Sequence, residues 1–342
     1  MKLACLSFTD KGKLLGERLL AIDDDNYEMG HVPNSEVEDG IKGFLERSWT
    51  EYDGFIFISA TGIAVRMCQP YIKSKDIDPA IVVIDDEGKF SISLLSGHLG
   101  GANGIAKSIG DYIGATTVIT TASDNRGIDS IDLFAKENDY DIEDLSTVTK
   151  ITSMMVNNKT VGIYTEDEKL INYPNLIRID DLNNIDPSIE GIIIITSNKE
   201  INFLDIPYTI LRPKNINIGI GCRKGVEVEI VMEAIELALK EKKLSNKSIR
   251  SMGTVEIKKD EAGIIKAAAH YNCPLEIFTI EEILPLEDLF QKSQFVKDTI
   301  GVYSVSEPCA YLLGGKPILG KFIHKGVTIS INVSIYGERE NS

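Results

Sequence analysis

The feature that most constrains the fold is a repeated alternation of short apolar runs with amphipathic segments. In the first third of the chain, Gly54 to Ser59 and Phe90 to Leu95 are predicted strands, and Ala102 to Tyr112 is a predicted helix. Strands that alternate with helices favour layered α/β architectures with largely parallel sheets. We therefore expect an α/β fold made of three α/β units with mainly parallel sheets.

Length and local composition suggest where these units divide. A chain of 342 residues accommodates two or three domains of roughly 100–200 residues each. The middle of the chain is richer in Asp and Asn, and Pro207 and Pro213 bracket a predicted connector. We predict an N-terminal α/β domain at 1–121, a central domain at 122–213 and a C-terminal α/β domain at 214–342.

Charge and residue counts exclude several classes of function. The net charge of −16 opposes nonspecific nucleic-acid binding, so any anionic ligand must be held by local groups. No apolar run reaches the ~18 residues of a membrane span, and the N-terminal apolar stretch is too short for a signal peptide. Five cysteines without a CxxC pair and four scattered histidines predict no metal site in the protein. We expect a cytoplasmic protein with neither nucleic-acid nor membrane partners.

Several predicted strands end in loops rich in glycine and small polar residues. In open α/β sheets, ligands bind beyond the carboxyl ends of the strands, where helix N-termini favour anions. Glycines at such junctions also serve tight geometry alone, so each loop has a purely structural alternative. The loops span residues 59–62, 96–103, 121–127, 219–225 and 304–308.

Three side chains in these loops are candidates for acid–base chemistry. His98 lies among small residues, and the imidazole is suited to proton transfer near neutral pH. Asp124 could orient His98 or act as an acid, and Glu307 is a second acid–base candidate. The alternatives remain open: His98 could be structural, Asp124 could pair with Arg126, and residues 306–308 could simply begin a helix.

Familiar nucleotide and hydrolase motifs are missing from the sequence. There is no GxxxxGK[ST] phosphate loop and no GxSxG nucleophile elbow. The dinucleotide fingerprint GxGxxG is incomplete, because Lys224 stands where its third glycine would be. Neither NAD binding nor a serine-hydrolase mechanism is therefore indicated.

Taken together, the loop sequences resemble those of the CbiG family, the cobalt-precorrin-5A hydrolases. The most specific stretch is SLLSGHLGGAN at 93–103, and the order and spacing of the others add to the resemblance. The region 125–212 contributes least. The other matching stretches are FISATGIAVR at 57–66, DPAIVV at 78–83, TTASD at 120–124, GIGCRKG at 219–225, KKDE at 258–261 and VSEP at 305–308.

This resemblance implies a reaction and a substrate. The family opens the δ-lactone of cobalt-precorrin-5A and releases acetaldehyde to give cobalt-precorrin-5B. The cobalt is carried by the substrate, so no separate cofactor is expected, and neighbouring precorrin methyltransferases are candidate partners. Two rival interpretations are a non-catalytic tetrapyrrole-binding carrier in the same pathway and a nucleotide- or phosphate-binding regulator.

Roles for individual residues come from their chemistry and not from the family. His98 is our candidate general base, with the N–H groups of Gly100 and Gly101 near the oxyanion, and basic side chains would hold the substrate carboxylates. The predicted substrate-binding residues are Thr61, Gly62, Arg66, Ser96, Gly97, Gly100, Gly101, Asn103, Arg126, Arg223, Lys224 and Lys259.

Overall fold

Three sheets, each flanked by helices, make up the computed structural model, which describes residues 1–22, 24–74, 77–122, 126–166, 168–201 and 205–334. Most neighbouring strands are parallel, so the predicted α/β class is confirmed. The chain divides into two compact units, Met1–Phe134 and Ala135–Ser342. The first unit contains one sheet and the second contains two. No helix in the described part of the chain is long and apolar enough to cross a membrane.

The sheet of the first unit has the order β2-β1-β3-β4-β5-β6. Its central strands β3 and β4 are buried along their whole length, as expected for strands covered on both faces. The strands are β1 (Lys2–Ser7), β2 (Glu28–Pro33), β3 (Gly54–Ile58), β4 (Ala80–Ile84), β5 (Phe90–Leu95) and β6 (Thr116–Val118). The helices are α1 (Asp10–Leu19), α2 (Gly40–Ser48), α3 (Thr61–Cys68) and α4 (Ala102–Ile113), and α5 (Ile131–Glu137) begins in this unit.

Strand β5 reverses the direction of this sheet. It runs antiparallel to β4, with Ile81 opposite Leu95, and β6 is parallel to β5. The reversal is made by the turn after β4, where the Asp85 carboxylate accepts the N–H groups of Lys89 at 2.8 Å and Phe90 at 2.7 Å. The carboxyl ends of β5 and β6 therefore lie at the edge where β1, β3 and β4 begin.

The middle sheet, in the second unit, has the order β7-β11-β10-β8-β9. The connector predicted between Pro207 and Pro213 is wrong, because Tyr208–Pro213 forms β11, which pairs with β10 and β7. The proline at 213 stands at the end of that strand, where it interrupts no pairing inside the sheet. The other elements are β7 (Tyr140–Ile142), β8 (Val161–Thr165), β9 (Leu176–Arg178), β10 (Gly191–Ile195) and α6 (Leu145–Val156).

The third sheet, also in the second unit, has the order β14-β13-β12-β16-β15. Strands β12, β13 and β14 are parallel, while β16 runs antiparallel to both β12 and β15. Its strands are β12 (Ile216–Cys222), β13 (Ile249–Val255), β14 (Leu275–Phe278), β15 (Lys316–His324) and β16 (Val327–Val333). Its helices are α7 (Val228–Glu241), α8 (Ala262–His270), α9 (Ile280–Ile283), α10 (Gln294–Ile300) and α11 (Ser306–Leu312).

The two sheets of the second unit are joined by direct hydrogen bonds. The Ser245 N–H donates to the Ser197 carbonyl at 2.9 Å, and the Lys247 ammonium donates to the Ile142 carbonyl at 3.2 Å. The Lys199 N–H also donates to the Lys243 carbonyl at 2.6 Å. The chain passes from β11 to β12 through residues 214 and 215 alone.

Candidate functional sites

The loop that carries His98 has its shape fixed by its own backbone. It joins β5 directly to α4, with Ser96 at φ 55° and Gly101 at φ 85°. The N–H of Ala102 donates to the Ser96 carbonyl at 3.2 Å, and the N–H of Asn103 donates to the Gly97 carbonyl at 3.0 Å. These bonds fold the loop tightly over the start of the helix.

Two glycines of the loop are required by close packing. A Cβ atom at Gly97 would lie 2.7 Å from Asn103 Oδ1, and one at Gly100 would lie 2.5 Å from the Ser96 Cβ. The Gly101 N–H donates to the His98 carbonyl at 3.1 Å, so the loop itself uses that donor and it does not fit the predicted oxyanion role. The Gly100 N–H makes no hydrogen bond to any described residue and keeps that role.

Asn103 holds the loop to its neighbours. Its side-chain oxygen accepts a hydrogen bond from Ser93 Oγ at 2.6 Å, and its Nδ2 donates to Thr121 Oγ1 at 3.2 Å. The Asn103 amide thus links strand β5 to the segment that follows β6. This arrangement gives Asn103 a positioning role beside its predicted role in substrate binding.

The acidic neighbour of His98 is a residue that the sequence did not indicate. His98 Nδ1 lies 3.8 Å from Asp132 Oδ1, and the two side chains are only 14% and 10% exposed. That separation is an ion-pair distance and too long for a hydrogen bond. Asp132 lies in the first turn of α5. An acidic residue near the start of a helix is the sequence feature that could have indicated it. Asp124, the predicted partner, lies outside the described residues.

The remaining predicted residues of the first unit do not join His98. Thr61, Gly62 and Arg66 lie on α3, which follows the carboxyl end of β3, and Arg66 donates to the Gly62 carbonyl at 3.0 Å. Because β5 is reversed, His98 lies at the opposite edge of the sheet, and a five-residue strand spans about 16 Å. Arg126 is exposed. The predicted residues of α3 and those of the His98 loop therefore lie at opposite edges of this sheet.

The third sheet carries a cavity of about 410 Å³ at the carboxyl ends of its parallel strands. Arg223 and Lys224, which the sequence analysis predicted to bind substrate, follow β12 and line this cavity. Lys258, which follows β13, lines it too, whereas the predicted Lys259 is exposed and is not among the lining residues. Apolar side chains of α10 form the opposite wall.

Two glycines of GIGCRKG have structural reasons of their own, one in packing and one in backbone conformation. A Cβ atom at Gly219 would lie 1.8 Å from the Ser306 carbonyl oxygen, so α11 rests directly on the backbone of β12. Gly225 has φ 72°, a left-handed conformation that glycine adopts without strain. The strand itself continues to Cys222, further than predicted.

Glu261 organises the charges beside this cavity. It accepts the Gly225 N–H at 2.9 Å and the ammonium of Lys258, which is 7% exposed, at 3.0 Å. Burial alone would raise the pKa of Glu261, but the hydrogen bonds from Gly225 and Lys258 outweigh it and lower that pKa. Burial raises the pKa of the nearby Cys222 thiol to about 11, so it stays protonated at neutral pH.

Glu307 is not among the residues that line the cavity of the third sheet. It lies in the first turn of α11, half-buried, and accepts a hydrogen bond from Ser304 Oγ at 3.2 Å. Ser304 lines the cavity but Glu307 does not. Residues 306–308 do begin a helix, which was one of the alternatives left open. Glu307 belongs to the second unit and His98 to the first.

Comparison with known families decides the family. Three family profiles match in succession: "Cobalamin synthesis G N-terminal" at 43–124, "Cobalamin biosynthesis central region" at 130–213 and "Cobalamin synthesis G C-terminus" at 216–332. The chain is 34% identical over 346 aligned residues, 97% of each chain, to a protein of Salmonella typhimurium named cobalt-precorrin-5A hydrolase. The chain belongs to the CbiG family.

Two other proteins also match this chain over most of its length. A protein of Priestia megaterium, also named cobalt-precorrin-5A hydrolase, is 32% identical over 90% of this chain and 86% of its own. A solved cobalamin biosynthesis protein G homolog of Sulfolobus solfataricus is 26% identical and covers 96% of both chains, with a TM-score of 0.39. The family profiles and the two named hydrolases confirm, at the level of the family, the resemblance based on the loops.

Proposed function

We propose that this CbiG-family enzyme is a cobalt-precorrin-5A hydrolase that opens the δ-lactone of its substrate and releases acetaldehyde to give cobalt-precorrin-5B. The observation that carries the proposal is the match, over 97% of both chains, to a relative of that name. No observation favours a non-catalytic carrier or a nucleotide-binding regulator.

Opening of the lactone requires an activated water, a stabilised oxyanion and a proton for the departing alkoxide. We assign the activation of water to His98. With Nδ1 towards Asp132, Nε2 is the nitrogen that would take the proton. The Gly100 N–H is a donor for the oxyanion, because it makes no bond inside the described part of the loop.

The second step breaks a carbon–carbon bond. Once the lactone is open, the oxygen on the methyl-bearing carbon loses its proton and forms the carbonyl of acetaldehyde. The electron pair of the broken bond moves into the macrocycle, where the cobalt of the substrate helps to stabilise it. The protein then has only to position the ring and transfer protons, tasks that suit a fixed loop with one imidazole.

Incubation with cobalt-precorrin-5A tests this proposal directly. We expect one acetaldehyde per substrate consumed, measured with alcohol dehydrogenase and NADH, together with the corrinoid product. Tight binding of the substrate without release of acetaldehyde would favour a non-catalytic carrier over a hydrolase. Thermal stabilisation by nucleotides but not by corrinoids would favour the regulator.

A further inference from the structure

Four cations line the cavity of the third sheet, and among the described residues only one of them has a carboxylate within ion-pair distance. Within the described residues, Arg223, Lys224 and Lys321 all line the cavity and form no ion pair shorter than 4.0 Å. The fourth lining cation, Lys258, is paired with Glu261 at 3.0 Å. In a chain with 52 acidic and 36 basic residues, three such cations at one cavity indicate an anionic ligand.

The same cavity has apolar walls that reach solvent. Phe295 of α10 is 74% exposed and Ile323 at the end of β15 is 64% exposed, and both line it. Val296 and Ile300 extend the apolar surface along α10. An exposed aromatic beside a cavity marks a binding surface more often than an isolated surface residue does. A small hydrophilic anion such as phosphate would leave these walls in water.

We propose that this cavity binds the carboxylate-bearing edge of a tetrapyrrole, an assignment that rests on the proposed function. Arg223, Lys224 and Lys321 pair with acetate or propionate side chains, and Phe295 and Ile323 cover the apolar face of the ring. A volume of about 410 Å³ lies towards the low end of the range for ligand pockets, roughly 300–1,000 Å³. The cavity therefore receives one edge of the macrocycle and does not enclose it.

The test compares two stable corrinoids with the same cobalt-containing ring. Cobyrinic acid carries free peripheral carboxylates, and in cobinamide amides replace them. We expect the intact protein to bind cobyrinic acid at least about tenfold more tightly than cobinamide, because charge-assisted hydrogen bonds are lost with the carboxylates. Binding is measured by absorbance titration, and the preference should shrink as the salt concentration rises.

Variants locate the binding. Lys321→Met and Arg223→Met keep the aliphatic length but remove one charge, and each should weaken cobyrinic acid binding about tenfold while leaving cobinamide unaffected. Lys240→Met is the matched control, an exposed lysine of α7 that does not line the cavity. Phe295→Ser should weaken the binding of both ligands.

The outcomes separate this site from the proposed reaction. Equal binding of the two corrinoids, absent binding of cobyrinic acid, or unchanged affinity in both charge variants would overturn the site. Acetaldehyde release measured on the same preparations decides the reaction independently. If the cavity variants alter corrinoid binding but no acetaldehyde is released, the proposed reaction is contradicted and the proposed site is supported. If acetaldehyde is released but the cavity variants do not alter binding, the proposed reaction is supported and the site is contradicted.

Discussion

His98 is the residue on which the proposed chemistry depends, and its loop leaves little freedom to the side chain. A general base contributes roughly 10²–10⁴-fold to a rate. We expect His98→Asn to lower kcat by about that range with substrate affinity kept, because an amide does not take up a proton near neutral pH. Asp132→Asn should lower kcat less, about tenfold, since Asp132 acts through the imidazole.

The pH profile separates this role from a structural one. A general base acts only when it is unprotonated, so an acidic limb in the wild-type kcat profile should be absent from His98→Asn. If His98 only donates a hydrogen bond that holds the loop, Asn would replace it and turnover would stay near wild type. That result would end the assignment of His98 as the base.

Glu261 provides a pH-dependent prediction of stability. Its pKa is lowered in the folded protein, so its contribution is present above the unfolded pKa and is lost as pH falls through the lowered folded value. Glu261→Gln should reduce the free energy of unfolding by about 1.5–3 kcal/mol at pH 7, the range for hydrogen bonds to charged groups. Melting temperatures from pH 7 down to pH 3 should show the difference from wild type shrinking.

The control for that series is Glu229→Gln. Glu229 is exposed on α7 and makes no ion pair within the described residues. It should follow wild type at every pH. A deficit in Glu261→Gln that stays constant down to pH 3 would contradict the coupling between its charge and the fold.

At the scale of elements, the contact between α11 and β12 is the closest in the third sheet. Gly219→Ala would place a Cβ 1.8 Å from the Ser306 carbonyl oxygen and 2.6 Å from the Ala310 nitrogen, both backbone atoms. The helix would have to move, so we expect a loss of about 3 kcal/mol or more. Gly320→Ala is the control, because its Cβ would make only an ordinary 3.6 Å contact. Equal melting temperatures for the two variants would refute the contact.

Elements whose sequences are apolar runs could be predicted from the sequence. The direction in which each strand runs in its sheet was less predictable. Phe90–Leu95 coincides with its predicted strand, and strand Gly54–Ile58 and helix Ala102–Ile113 each differ from their predictions by one residue. Strand β13 was missed because Ser251, Gly253 and Thr254 interrupt its apolar pattern, and these residues are buried only through packing between elements. The local pattern of the sequence does not reveal such contacts between elements.

The candidate site shows the same limit. The four-residue turn after β4, which ends at Gly88, was visible in the sequence and is typical of a hairpin. In a wholly parallel sheet the loops of Arg66 and His98 would lie at one edge, and the antiparallel β5 instead places them at opposite edges. Asp132 and Lys258 were missed since their importance comes from distance in space and not from any motif.

At the scale of the whole molecule, the second unit behaves as one body in its described contacts. The proposed domain boundary between 213 and 214 falls in the two-residue passage from β11 to β12, where Lys214 pairs with Asp141 at 2.7 Å. We expect trypsin to cut native protein at Lys292, which is half exposed, before it cuts at Arg212 or Lys214. Mass spectrometry of early fragments checks this. An early fragment ending at Arg212 or Lys214 would show instead a flexible linker.

Because strand β5 is reversed, the His98 loop and the loop before α3 lie at opposite ends of the strands in the first unit's sheet. The two ends share the strands but have different loops. Insertions, fusion partners or fluorescent labels at the α3 end are separated from the His98 loop by the full length of buried strands. Each end can therefore change under its own selective pressure. New recognition features can be added at one end while the chemistry at the other is preserved.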